Sequence, residues 1–153
     1  MDEEKKKKYL QDLRNREYDE WFPFECIIRR LFFLKQFAKI IDNHPEELDP
    51  SYKSVIKERG IRPSEPLMDF FILDIRNFYW IAYKKFEDTI EYPDSWKYIK
   101  ELRDNTIAHF TKDAPKEVVM AYEKIQEIGF NKIWNDFCKF RESVKSKIKS
   151  KKL

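Results

Sequence analysis

Glycine, cysteine and histidine are each present only twice among the 153 residues. Two glycines leave few positions for the tight, positive-φ turns that a hairpin-rich sheet protein needs, so β sandwiches and barrels are disfavoured. Cys26 and Cys138 lie far apart and match neither the spacing of a zinc site nor that of a redox pair. They are expected to be buried, reduced thiols. Long apolar runs are also lacking: none approaches the ~18 residues that would span a bilayer. The opening "MDEEKKKKYL" has no apolar core of a secretory signal. These two absences give the expectation of a cytoplasmic protein with no membrane contact.

What remains is 42% apolar and 39% charged, with little neutral polar residue between. That profile predicts long amphipathic helices joined by short, proline-marked loops. Phe24, Ile27, Ile28, Leu31, Leu34, Ala38 and Ile41 recur at spacings of three and four after Pro23, which predicts a core-facing helix. A shorter helix over 50–59 ends at Gly60, a good residue for the position after a helix. The segment after "RPSEP" carries Leu67, Phe70, Phe71, Ile75, Phe78, Tyr79, Ala82 and Phe86 on more than one face, which predicts a helix buried on several sides. Asp94 or Ser95 can cap a helix from about 95 to 110. "TKDAP" breaks the pattern, and a last segment from 115 to about 149 holds Val118, Tyr122, Ile125, Ile133, Phe137, Phe140 and Val144. Gly129 falls within that stripe as a kink or close helix contact. Residues 2–20 carry only a thin stripe and predict a partly exposed first helix. The sum is a single all-α domain over 1–153, an antiparallel bundle of four to five helices with charged, frayed ends at about 1–8 and 145–153.

The net charge is +3, and the pI near 8.7 falls short of the ~9 typical of nucleic-acid-binding domains. The excess sits at the ends, in Lys5 to Lys8 and in "KSKIKSKK" from Lys145 to Lys152, which read first as solvated helix ends and second as places that can attract phosphates.

The stretch "LRDNTIAHF", Leu102 to Phe110, concentrates the polar chemistry. On a straight helix Arg103 and His109 point about 120° apart and lie about 9 Å apart along the axis, so they are poor partners within one chain. Asn105 shares a face with His109 and can hold its imidazole in one tautomer. A two-fold axis past this helix would bring two arginines and two histidines into one cleft. Such a set suits RNA cleavage through the 2′-hydroxyl. Histidine takes or gives a proton near neutral pH, while arginine stays charged and its planar fork matches phosphate oxygens. The reaction needs no metal or other cofactor.

These residues resemble the signature of HEPN domains (higher eukaryotes and prokaryotes nucleotide-binding): an arginine, a polar residue, and a histidine after four to six intervening positions, on a late helix of a small all-α bundle. Arg103, Asp104 and His109 match those positions. The resemblance implies a homodimeric, metal-independent endoribonuclease, a toxin or antiviral defence effector with an antitoxin or other regulatory partner, whose protomers share one RNA-cutting cleft. Many members carry Asn directly after the arginine. Asp104 stands there instead, and because a carboxylate repels phosphate its expected part is to orient Arg103 or His109. Members paired with nucleotidyltransferase antitoxins carry Tyr two residues after the histidine; Thr111 occupies that place, and tyrosine modification is not expected.

Elsewhere the residues read as structural. His44, before a proline in "DNHPEE", is expected to serve a turn. Asp74, Arg76 and Asn77 interrupt the most apolar segment and are expected to face solvent or satisfy one another, with Arg76 and Asn77 as candidates for the same cleft. The aromatic load, 16% of the chain, falls mostly on apolar stripes and is assigned to the core. Carboxylates lack the Glu-x-x-His spacing of bundle metal sites, so no metal is expected. The rival to the nuclease reading is a HEPN-like helical module that binds RNA, nucleotide or a protein partner without cutting.

Overall fold

A computed structural model describes residues 2–16, 19–102 and 114–151, and among the described residues there are seven α-helices: α1 (Glu3–Asn15), α2 (Phe22–Asn43), α3 (Pro50–Arg59), α4 (Leu67–Phe86), α5 (Trp96–Leu102), α6 (Ala114–Ile128) and α7 (Phe130–Lys151). There is no strand among the described residues. The all-α bundle is therefore the fold.

Local chemistry sets the helix ends. Asp2 and Asp49 cap α1 and α3, each carboxylate accepting from a backbone N–H two residues on. Pro23 sits in the first turn of α2, where a missing N–H costs nothing. Gly60 ends α3 at φ 62°, while Ile61 N–H reaches back to Ile56 O at 3.2 Å. Gly129 does more than bend a helix. At φ 84° it separates α6 from α7, and a Cβ built there would have nothing within 4 Å, so its role is the break and not a close approach.

The core lies between α2, α4 and α7. Phe78 is fully buried, its ring 4.9 Å from that of Phe24 on α2 and 5.0 Å from that of Phe137 on α7. Tyr79 packs edge-on against Phe140 at 4.7 Å. The pairings fix the directions of the helices. Phe24 meets Phe78 and Arg30 meets Asp74, so α2 and α4 are antiparallel. Trp21 lies under Lys145 and Lys35 over Trp134, so α2 and α7 are antiparallel too. Phe71 touches Phe130 and Phe78 touches Phe140, so α4 and α7 run in the same direction. Parallel neighbours need a long connection, and α5 and α6, packed on each other, provide it.

Several expectations are corrected. Cys26 is exposed and Cys138 half-buried; both are free thiols. Cys26 falls outside the Phe24, Ile27, Ile28, Leu31 stripe, so the core does not reach it. Phe70 is 59% exposed because its neighbour Phe71 takes the inward position. Asp74 and Arg76 are buried, not solvent-facing. Helix α7 continues through Lys151, with Ile148 buried against the core. In contrast, α1 contains no buried residue, and Tyr9 and Leu10 are exposed.

Asp74 is held from α2. Arg30 Nε donates to its Oδ2 at 2.8 Å and Nη2 donates to Oδ1, and this carboxylate raises the guanidinium above its ordinary range against the opposing effect of burial. Arg30 is 60% exposed while Asp74 is 5% exposed, so removing the arginine strands a buried charge. Arg30→Met is expected to lower stability by about 2 kcal/mol, below the range for fully buried pairs because water reaches one side. Adding Asp74→Leu should restore most of the loss, as read from urea midpoints. A double variant no more stable than Arg30→Met would refute this account.

Candidate functional site

The segment 103–113, with Arg103, Asp104, Asn105 and His109, lies outside the described residues, so the candidate catalytic group is defined by sequence. What is described is its frame. The segment joins α5 to α6, α5 packs on α4 as well as on α6, and α4 carries the two further candidates, Arg76 and Asn77.

Asp74 and Arg76 stand two residues apart, about 200° around the helix. With Asp74 turned to α2, Arg76 turns away from it. Its Cζ lies 4.9 Å from the centroid of the Trp80 ring, one turn along, and Lys84 Nζ lies 5.4 Å from the same ring. Asn77 is half-buried beside it. Trp80 stacks on Tyr83 at 5.9 Å, Tyr83 meets Tyr92 at 6.0 Å, and Tyr92 meets Trp96 at 6.3 Å. A continuous line of rings thus leads from Arg76 to the first residue of α5. On α5 itself, Lys97 Nζ lies 4.8 Å and Lys124 Nζ of α6 lies 5.7 Å from the Tyr98 ring.

Two buried hydroxyls sit in this region. Tyr79 Oη and Ser95 Oγ have no hydrogen-bond partner among the described residues, and Trp96 joins them, following Ser95 in sequence and packing edge-on against Tyr79 at 5.4 Å. Ser95 stands directly before α5, where its carbonyl accepts from Ile99 N–H at 3.1 Å, but its hydroxyl makes no capping bond to a described residue. Burial pushes the Tyr79 phenol far above its usual range, with Asp136 adding to the effect. Tyr92 is pushed up to about 12, by burial first and then by Asp88. Neither phenol ionises near neutral pH, so neither serves as a general base there. His44 closes α2, its ring 54% exposed with Nδ1 3.4 Å from Glu46 Oε1, which fits the expected turn role. No group of three or more His, Cys, Asp or Glu residues that could hold a metal occurs among the described residues.

Sequence reasoning missed Arg30 as the partner of Asp74, since nothing in the local pattern links residues 44 apart. It also missed the line of rings, whose members come from α4, the loop before α5 and the first residue of α5. The expected membrane character can be stated narrowly: no described helix is long and apolar enough to cross a bilayer. The molecule is a helical bundle whose α4 holds Asp74 toward α2 and Arg76 over Trp80 on another side. Comparison with family models, with curated proteins and with solved structures returned no match to the chain.

Proposed function

We propose that this protein is a HEPN-like, metal-independent endoribonuclease that cuts RNA by attack of the 2′-hydroxyl. His109 exchanges the protons, and Arg103 stabilises the charge that develops on the phosphorane. Asp104 and Asn105 orient these groups. The observation that carries the reading is the Arg103 to His109 spacing in the segment between two late helices of an all-α bundle. The active unit is a homodimer whose two protomers each supply an arginine and a histidine. A restraining partner of the antitoxin kind accords with so hazardous an activity.

Incubation with single-stranded RNA in EDTA tests the proposal. The expected products carry 2′,3′-cyclic phosphate and 5′-hydroxyl ends; intact RNA rejects catalysis. A second reading, binding without cutting, draws support from the two lysines over the Tyr98 ring, since cations beside rings suit single-stranded RNA.

Dimerisation has its own test. Phe33 and Phe37 are stacked at 5.7 Å on the outer face of α2, 64% and 41% exposed. The Arg30–Asp74 pair sets the register of α2 against α4, which places Phe70 about one turn further along, on the neighbouring helix. Contiguous apolar patches of a few hundred Å² commonly mark interfaces. Light scattering is expected to give twice 18.9 kDa at micromolar concentration. Phe33→Glu with Phe70→Glu should give the monomer, and a wild-type monomer would count against the shared cleft.

A further inference from the structure

Toward the C-terminal end of α2's inner face a cleft of about 620 Å³ opens between the second half of α2, the start of α4 and the corner where α6 meets α7. Its size falls in the range of small-molecule sites, roughly 300–1,000 Å³. Its floor is apolar, built from Leu34, Ala38, Leu67, Met68, Phe71 and Phe130. The same feature explains a departure from the predicted stripe: Leu34 and Ala38 continue the inward face of α2 but are only half-buried, because they look into this cleft.

The rim is polar and its charges are uneven. Lys35, Arg62 and Lys132 line the cleft, against one carboxylate among the described residues, Asp42. Asp42 is already occupied, accepting from Ser64 N–H at 3.0 Å and from Ser64 Oγ–H at 2.7 Å. That pair also ties the loop before α4 to the end of α2, which keeps the walls in place. Glu65 lies 3.5 Å from Arg62 and Asp136 2.7 Å from Lys132, but neither acid is among the lining residues. Arg62 and Glu65 are both exposed, and such an ion pair is worth little, so an arriving anion can displace Glu65; Lys132 stays with the mostly buried Asp136 and offers its remaining N–H donors. The ammonium of Lys35 rests 4.4 Å from the centroid of the Trp134 ring, a contact it can keep while its other hydrogens point into the mouth.

We infer that this cleft binds an amphipathic carboxylate, with a hydrocarbon body on the Leu34–Phe71 floor and an acid group among Lys35, Arg62 and Lys132. The inference is independent of the nuclease reading, since none of these residues belongs to the 103–113 segment.

Calorimetric titration of the full chain with dodecanoate, below its micelle concentration, and with dodecan-1-ol as the uncharged counterpart provides the test. Dodecanoate should bind one site about tenfold or more tighter than the alcohol, the difference that a charge-assisted hydrogen bond makes. Lys35→Glu with Arg62→Glu should remove that difference and leave the alcohol unaffected. Ala38→Trp should fill the cleft and weaken both ligands at least tenfold, with an unchanged helical circular dichroism spectrum. No binding by wild type, equal binding of acid and alcohol, or full binding by a folded Ala38→Trp variant would each overturn the assignment.

Discussion

His109→Ala is expected to reduce EDTA-resistant RNA cleavage by at least 100-fold, and Arg103→Ala by a similar factor. The first figure follows from the 10²–10⁴-fold contribution of positioned proton transfer. The second follows from the comparable effect of removing one preorganised group at a developing charge. Arg103→Lys separates roles. A lysine keeps the charge but not the planar two-point geometry, so partial recovery points to charge and no recovery to bidentate phosphate contact. Both variants must retain helical content and unfold with the wild-type midpoint for the loss to count as catalytic. A further arm uses the dimer: mixing His109→Ala with Arg103→Ala protein should restore some activity if one cleft draws on two chains. Full activity in the His109→Ala variant would end the nuclease reading.

The largest expected effect on stability comes from Phe78→Ala, at about 3–5 kcal/mol. Phe78 is completely buried and its ring touches Phe24, Phe137 and Phe140, so the truncated side chain leaves a void walled by α2 and α7 together. Domains of this kind are stable by only about 5–15 kcal/mol, and such a loss brings the protein close to unfolding. Phe33→Ala provides the contrast. That ring is 64% exposed and touches Phe37 of its own helix, so the expected change in the isolated protomer is under about 1 kcal/mol. Urea unfolding compares the two at a protein concentration low enough to suppress association. Equal losses would mean that the core is not organised around Phe78.

Much of this fold is legible in the sequence because helical periodicity is a local signal. The stripe from Phe24 to Leu31, the run from Phe71 to Phe86 and the stripe from Ile125 to Val144 each occupy inward positions, and Gly60 marks a real helix end, whereas the apolar pattern reads straight through Gly129, where one helix stops and the next begins. Phe70 was misplaced because a helix apolar on several faces does not say which face stays open. The burial of Asp74 was illegible for a different reason: a carboxylate enters a core only when a partner meets it, and that partner stands on another helix. Direction was equally hidden, since periodicity says nothing about which helices run side by side. The proposed catalytic residues were legible as a spacing in one short stretch, where family resemblance could act. The cleft beside α2 was not, because its walls come from separate segments, none bearing a motif.

The shared direction of α4 and α7 constrains how the chain reaches its native form. Phe24 and Phe78 meet early along the chain, but their common neighbours Phe137 and Phe140 follow only after the α5–α6 excursion. Closing so long a loop adds only slowly growing entropy, yet the reward arrives late. An intermediate with α2 and α4 docked would leave one flank of aromatic side chains open to solvent. Such a species would be prone to aggregate until α7 settled into that flank.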